Sequence, residues 1–263
     1  MLPSHLPQSP VAQNAWTVRA RAALIHLGLS AIAASVTAFL VFWLWYPPPF
    51  REISGGRELF LLVIAVDVVI GPLLTAVAFD VRKPRVELMR DLGVIVLLQV
   101  AALVYGANTV ALARPAVIAL EGDRLRVVRA IDLAKADWSK GPPEQEVTLL
   151  SGPRVVATRA PLGAEKNDAI FKGLAGEDIG MRPEFWLPAS ATGAAYAKAA
   201  KPLTGLTRLH PDRLPALERA VAATGRDSIE LGYLPILARS TDWTALVDLK
   251  NGAIAGYVPI DGF

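Results

Sequence analysis

The chain has 263 residues, 53% of them hydrophobic, with 27 basic against 24 acidic side chains and no cysteine, which excludes disulfides, thiolate metal sites and cysteine nucleophiles. A mean hydropathy of +0.39 is high for a single water-soluble domain. The sequence pI near 9.3 does not point to nucleic acid. From Pro115 onward 18 basic and 18 acidic residues cancel, and the excess of 9 basic over 6 acidic residues in the first 114 lies at the ends of apolar segments.

In chain order, a short N-terminal segment, residues 1–21, precedes three apolar segments at about 22–45, 59–79 and 92–113. Each has the roughly 20 residues that crossing a hydrocarbon layer takes. The first is too long for a signal-peptide core, no A-x-A site follows it, and two further spans come after it. Orientation follows from the basic residues of the short loops. Arg19 and Arg21 precede the first span, and Arg82, Lys83, Arg85 and Arg90 lie between the second and third. The remaining loop has only Arg51 and Arg57, each followed by a glutamate. These signals place the N-terminus and second loop in the cytoplasm and everything after the third span outside, in the periplasm of a bacterial cell. Trp43, Trp45 and Tyr46 read as an outer aromatic belt.

Residues 115–263 read as a small α+β domain. "AVIALEGDRLRVVRA" predicts strand, turn and strand around Glu121-Gly122-Asp123, and "TALVDLKNGAIAGYVPI" a hairpin whose Asn251-Gly252 suits a type I′ turn. Residues 154–159 and 231–239 are further strand candidates, the second demoted to an edge or a bulge by Pro235. Helices are expected at about 164–175, 190–201 and 211–224, the last opened by Pro211 and closed by Gly225.

Nucleophile motifs and phosphate loops are absent from the sequence, and His5, His26 and His210 are too scattered to form a metal site. His210 beside Pro211 and Asp212 reads as helix-start chemistry. Asp67, Asp80 and Asp91 lack the G-x-G-D setting of an intramembrane aspartyl protease. Asp67 is the strongest single signal. An aspartate at mid-span costs about 2.5–3.5 kcal/mol on insertion scales, so it is expected to face protein or water. Gln99 and Asn108 of the third span are its candidate internal partners, with Gln99 the better match in depth. Gly71 and Pro72, one turn on, are expected to loosen the backbone and free carbonyl groups. Ser30, Ala34 and Ala38 recur every fourth position of the first span and form a small-residue stripe. That stripe serves either packing among the three spans or the docking of a partner's transmembrane helix.

"WLWYPPPF", "LLVIAVDVVIGPLLT" and "RDLGVIVLLQVAALVYGANTVALARPAVIALEGDRLRVV" occur in that order. The chain thereby resembles the TfpX/TfpZ family of type IV pilin accessory proteins over roughly residues 20–135, with "VDVVIGPLLT" and "YGANTVALARPA" the most specific pieces. The resemblance implies an inner-membrane protein that assists a type IV pilin before or during pilus assembly, with no enzyme activity and no cofactor. The expected partners are the pilin's transmembrane helix, its head domain, the lipid bilayer and the pilus assembly machinery, without nucleic acid. The expected architecture is a three-helix transmembrane bundle (residues 22–114) followed by a small periplasmic α+β domain (115–263). Two other readings stay open: a membrane-anchored periplasmic enzyme, and a sensor or structural subunit of a secretion complex.

Overall fold

The computed structural model describes residues 10–80, 82–239 and 242–263. The first nine residues of the N-terminal segment, His5 among them, lie outside that description. The chain forms two compact units, one helical (up to Val41, and Arg57–Val110) and one built on a sheet (Phe42–Gly56 and Ala111–Phe263).

The helical unit starts with α1 (Pro10–Leu40), which runs on as a π-helical turn over Val41–Trp45. After the short α2 (Phe50–Ile53), α3 (Gly56–Ala65) passes through a second π-helical turn, Val66–Ile70, into α4 (Gly71–Ala78), and α5 covers Arg85–Ala113. Trp16–Trp45, Gly56–Ala78 and Arg85–Ala113 are three helices long and apolar enough to cross a membrane. The second begins at Gly56 rather than 59, and the third at Arg85 rather than 92. Helical backbone satisfies its own hydrogen bonds and so continues through the polar flanks that a hydropathy reading trims off. Hydroxyl groups inside these helices turn back on their own backbone. Ser35 donates to the Ala31 carbonyl at 2.8 Å, Thr37 to Ala33 at 2.9 Å and Thr109 to Tyr105 at 2.9 Å. In the connection after α4, Arg82 and Arg19 both pair with Asp80, at 2.7 and 3.1 Å, and Lys83 pairs with Asp91 at 2.7 Å. Hydrogen bonds from Arg82 hold the Asp80 carboxyl well below the usual carboxylate range.

In the sheet unit β1 (Pro115–Glu121), β2 (Arg124–Arg129), β3 (Arg154–Ala157), β4 (Lys201–Pro202), β5 (Leu231–Leu237), β6 (Thr244–Asp248) and β7 (Ile254–Val258) form a curled mixed sheet. Its order is β3-β1-β2-β5-β6-β7, with β4 against β5. The β1–β3 and β2–β5 pairs are parallel and the others antiparallel. Strands β1, β5 and β6 read as continuous apolar runs because both faces of the sheet are covered. Ile118, Leu120, Leu234, Ile236, Ala245 and Val247 face one cluster. Their neighbours Val117 and Ala119 enter a second cluster with Trp186, and Leu231, Tyr233 and Leu246 a third. Helices α7 (Ala189–Ala199), α8 (Leu203–Leu209) and α9 (Leu214–Thr224) send residues into these clusters, while α6 (Glu165–Leu174) has no buried residue. Buried Tyr196 of α7 donates its hydroxyl to the carbonyls of Ile118 and Val156 at 2.8 and 3.1 Å, pinning the helix across β1 and β3.

Three expectations are corrected. Pro235 does not mark an edge, since β5 lies at the centre of the sheet. Ile236 donates its N–H to Trp243 at 3.0 Å, so the proline nitrogen one residue earlier turns away from β6. It faces the gap between β4, which pairs with residues 232–233, and β2, which pairs with 236–237, where no donor is needed. Asn251-Gly252 does not form a type I′ turn. Gly252 has a φ of 72°, but among the described residues only glycines take a positive φ, and the Gly252 N–H closes a wider loop on the Asp248 carbonyl at 2.8 Å. Tyr46 is not an exposed belt residue. Its side chain is fully buried in the sheet unit, packed where a side chain on Gly56 would otherwise stand.

The segment joining α1 to α3 is therefore a built-in part of the sheet unit. Phe50 and Ile53 sit in the same cluster as Ile118 and Leu234, and Phe50 meets Tyr257 edge-on at 5.7 Å. Arg51 caps the end of the preceding π-turn, donating to the carbonyls of Phe42 and Tyr46 at 2.9 and 3.2 Å and lying over the Phe42 ring.

Candidate functional site

Within the helical unit a groove of about 450 Å³ runs along α1, α3–α4 and α5. Its walls are aliphatic, with Ile25, Leu29, Val96, Val100 and Leu103 among them. The polar members are few and placed in depth. Ser30, Asp67 and Gln99 lie at or next to the midpoints of Trp16–Trp45, Gly56–Ala78 and Arg85–Ala113, and all three line the groove. A turn or more away His26 and Thr75 share a hydrogen bond that ties α1 to α4.

The backbone around Asp67 explains the residue choices beside it. In the π-helical turn Val66–Ile70 the ladder runs i→i+5 instead of i→i+4. Continued one step, that register would satisfy the Asp67 carbonyl from residue 72, and residue 72 is proline, which has no N–H. The side-chain amide of Gln99 takes its place, donating to the Asp67 carbonyl oxygen at 3.1 Å. Gly71 leaves the space, because a Cβ there would run into the Gln99 amide. Gly71 and Pro72 are both buried. One proline, one glycine and one glutamine thus make a single device that locks the middle of α3–α4 to the middle of α5.

The Asp67 side chain is left out of that device. It is only 7% exposed and lines the groove, yet among the described residues neither carboxyl oxygen has a hydrogen-bond partner, nor has the Oε1 of Gln99. A buried polar atom left unbonded costs about 1–3 kcal/mol. The groove therefore presents acceptor atoms at mid-depth in an apolar channel, the chemistry to receive an N–H or O–H donor carried on an apolar body.

The structure brings Asp67, Gly71, Pro72 and Gln99 together, though the expected side-chain clasp is replaced by a bond to the backbone. Ser30 and Ala34 line the same groove, and Ala38, half-buried on the same face of α1, lies beyond it. Asn108 is exposed, more than two turns along α5 from Gln99, and is not part of the site. His26 and Thr75 were not singled out for this role from the sequence. Their one signal was a polar residue inside an apolar run.

Residues 14–55, which form much of α1 and the segment built into the sheet unit, match the family model described as fimbrial assembly protein FimB. Two proteins of Dichelobacter nodosus, the fimbrial assembly proteins of serogroup I and serogroup E1, are each 32% identical over 242 residues, covering 91% of this chain and 94% of the relative. The fimbrial assembly protein of serogroups C1 and C2 is 37% identical over 109 residues, 41% of this chain and 83% of that relative. No solved structure matches the chain. With that identity sustained over nearly its whole length, the chain belongs to the fimbrial assembly protein family, a family of type IV pilus accessory proteins.

Proposed function

We propose that this protein assists pilus assembly as an inner-membrane chaperone that holds the hydrophobic helix of a type IV pilin in the groove of its helical unit until the subunit is assembled. The three apolar helices cross the membrane with the N-terminus in the cytoplasm, as the loop charges indicate, and the sheet unit stands in the periplasm beside the pilin head. The observation that carries this reading is the buried, unbonded Asp67 carboxyl group midway along an otherwise aliphatic groove. A pilin helix with a donor group at that depth would satisfy it, and a helix without one would leave the cost in place. The names of the relatives describe assembly rather than catalysis, which supports a binding role.

A photo-crosslinking residue at Ala33 of α1 or Leu103 of α5, both lining the groove, tests the proposal in cells that make pilin. The expected product is an adduct with pilin that weakens when Asp67→Leu is added. Adducts with lipid or with this chain alone, in cells rich in pilin, would remove the groove from pilin handling.

A further inference from the structure

We infer that the turn Thr148–Ser151 of the sheet unit is a second membrane contact, a rigid tip that sets Leu149 and Leu150 into the interfacial layer of the bilayer. The turn is closed tightly. Ser151 donates its N–H and its hydroxyl to the Thr148 carbonyl at 3.1 and 2.8 Å, and Thr148 returns its N–H to the Ser151 hydroxyl at 3.2 Å. Leu149 and Leu150 therefore occupy the two central positions, where turns in water favour Gly, Asn, Asp, Ser or Pro. They are 58% and 75% exposed. Two adjacent leucines at the tip of an ordered turn ask for an apolar surface outside the unit.

The way the turn is fastened says which surface. The indole N–H of Trp45 donates to the Leu149 carbonyl at 2.8 Å, and Arg114 donates to the Thr148 carbonyl at 3.0 Å. Arg114 also binds the Ala111 carbonyl at 2.6 Å and lies over the Trp45 ring. Gly152 comes up against the backbone of Leu44, whose carbonyl oxygen would be 3.2 Å from a Cβ there. Trp45 ends the first apolar helix and Arg114 follows the last residue of the third. The tip is thus moored beside the places where two apolar helices end, the level at which tryptophan and arginine settle at a bilayer boundary. Both polar backbone groups of Thr148 and the Leu149 carbonyl are bonded within the unit, and the tip exposes the two leucine side chains. A lipid surface continuous with the one the helices cross meets that face without any shape match. The inference rests on the membrane reading given above and adds a contact made by the sheet unit itself.

The absence of cysteine makes the test direct. Leu150→Cys and, on α5, Leu97→Cys are labelled with an environment-sensitive fluorophore and reconstituted in liposomes carrying nitroxide lipids. Both positions are exposed, so each variant should unfold at the parent's temperature. The Leu150 probe is expected to be quenched by shallow nitroxides and to lose its quenching by aqueous iodide, and the Leu97 probe to be quenched by deep ones. Full iodide quenching at Leu150 with no effect of nitroxide lipid, while Leu97 responds, overturns the inference alone. Protection of Leu150 that appears only when pilin is added also overturns it, by assigning the tip to a protein. If neither probe senses the lipid quenchers, the membrane reading falls and the inference with it.

Discussion

Gln99 donates its side-chain amide to the backbone carbonyl of Asp67, 3.1 Å away, and leaves the Asp67 carboxyl group unbonded. The fastening of the two helices and the unbonded acceptor in the groove therefore belong to separate atoms of one residue. A substitution can remove one and keep the other. Gln99→Ala should loosen α3–α4 from α5 by about 0.6–1.7 kcal/mol, the usual range for interhelical hydrogen bonds in membranes. Asp67→Asn should leave that packing almost untouched. Unfolding of the full chain in bicelles, compared for the two variants, checks the division.

Gly71 and Gln99 should be coupled. A Cβ at Gly71 collides with the Gln99 amide, so Gly71→Ala is expected to cost more than Gln99→Ala alone. With Gln99 already shortened the collision partner is gone, and Gly71→Ala becomes nearly neutral or slightly helix-favouring. A double-mutant cycle on the same unfolding assay should return a coupling of about 1 kcal/mol or more. Additive costs would show that Gly71 serves the groove for another reason.

Pro72 completes the same reasoning from the donor side. Pro72→Ala restores an N–H in position to bond the Asp67 carbonyl along the i→i+5 ladder. In that background the Gln99 amide is redundant, so Gln99→Ala should lose most of its effect. If Gln99→Ala costs as much on top of Pro72→Ala as it does in the parent chain, the proline is not what orphaned the carbonyl.

Much of this helix chemistry was legible in the sequence. Length and hydropathy mark the three helices, a carboxylate in hydrocarbon is costly enough to single out Asp67, and depth alone pairs it with Gln99. The π-helical register was not legible, since it shifts one backbone bond and leaves no mark in composition. It is also why the partner of Gln99 is a carbonyl and not the carboxylate. In the sheet unit the strands followed from apolar runs bounded by turn residues, but the burial of Tyr46, Phe50 and Ile53 did not. These residues read as a loop and an aromatic belt because their partners, Tyr257 and the residues around Ile118, lie far along the chain. Pro235 misled for a similar reason. A rule about proline in sheets weighs the missing donor, and here the donor is missing where the neighbouring strands leave a gap.

Glu121, 7% exposed at the end of β1, accepts from Arg126 at 2.8 Å and from the Gly180 N–H at 2.9 Å, and Arg126 also pairs with Asp178 at 2.7 Å. Trp186 donates to the Gly180 carbonyl at 3.0 Å, so this one carboxylate positions the turn that seats Trp186 in the core. Glu121→Ala leaves the buried Gly180 N–H unbonded and Arg126 with Asp178 as its remaining partner, and is expected to destabilise the sheet unit by about 1–3 kcal/mol. Glu121→Gln, which keeps an acceptor for Gly180, should cost less. Amide hydrogen exchange of residues 178–187 is the measurement. Equal protection in the alanine variant and the parent would make the network ornamental.

Buried Tyr46 and Tyr196 and half-buried Tyr257 predict how the sheet unit fails in alkali. Burial pushes the hydroxyls of Tyr46 and Tyr257 up from 10.0 to about 12, with Arg114 partly opposing the shift at Tyr46, and burial raises that of Tyr196 well above its ordinary value. The folded chain then keeps protons that the unfolded chain loses near pH 10. That contribution to stability is complete below pH 10 and falls away as the pH rises from about 10 to about 12. Tyrosinate absorbance should accordingly rise in two parts, the later one coinciding with loss of the folded near-ultraviolet dichroism. Tyr196→Phe removes one of the three protons together with its hydrogen bonds to Ile118 and Val156. It should lower stability at neutral pH and make the alkaline loss shallower. A single titration centred near pH 10 in a chain that stays folded would show that these hydroxyls reach water.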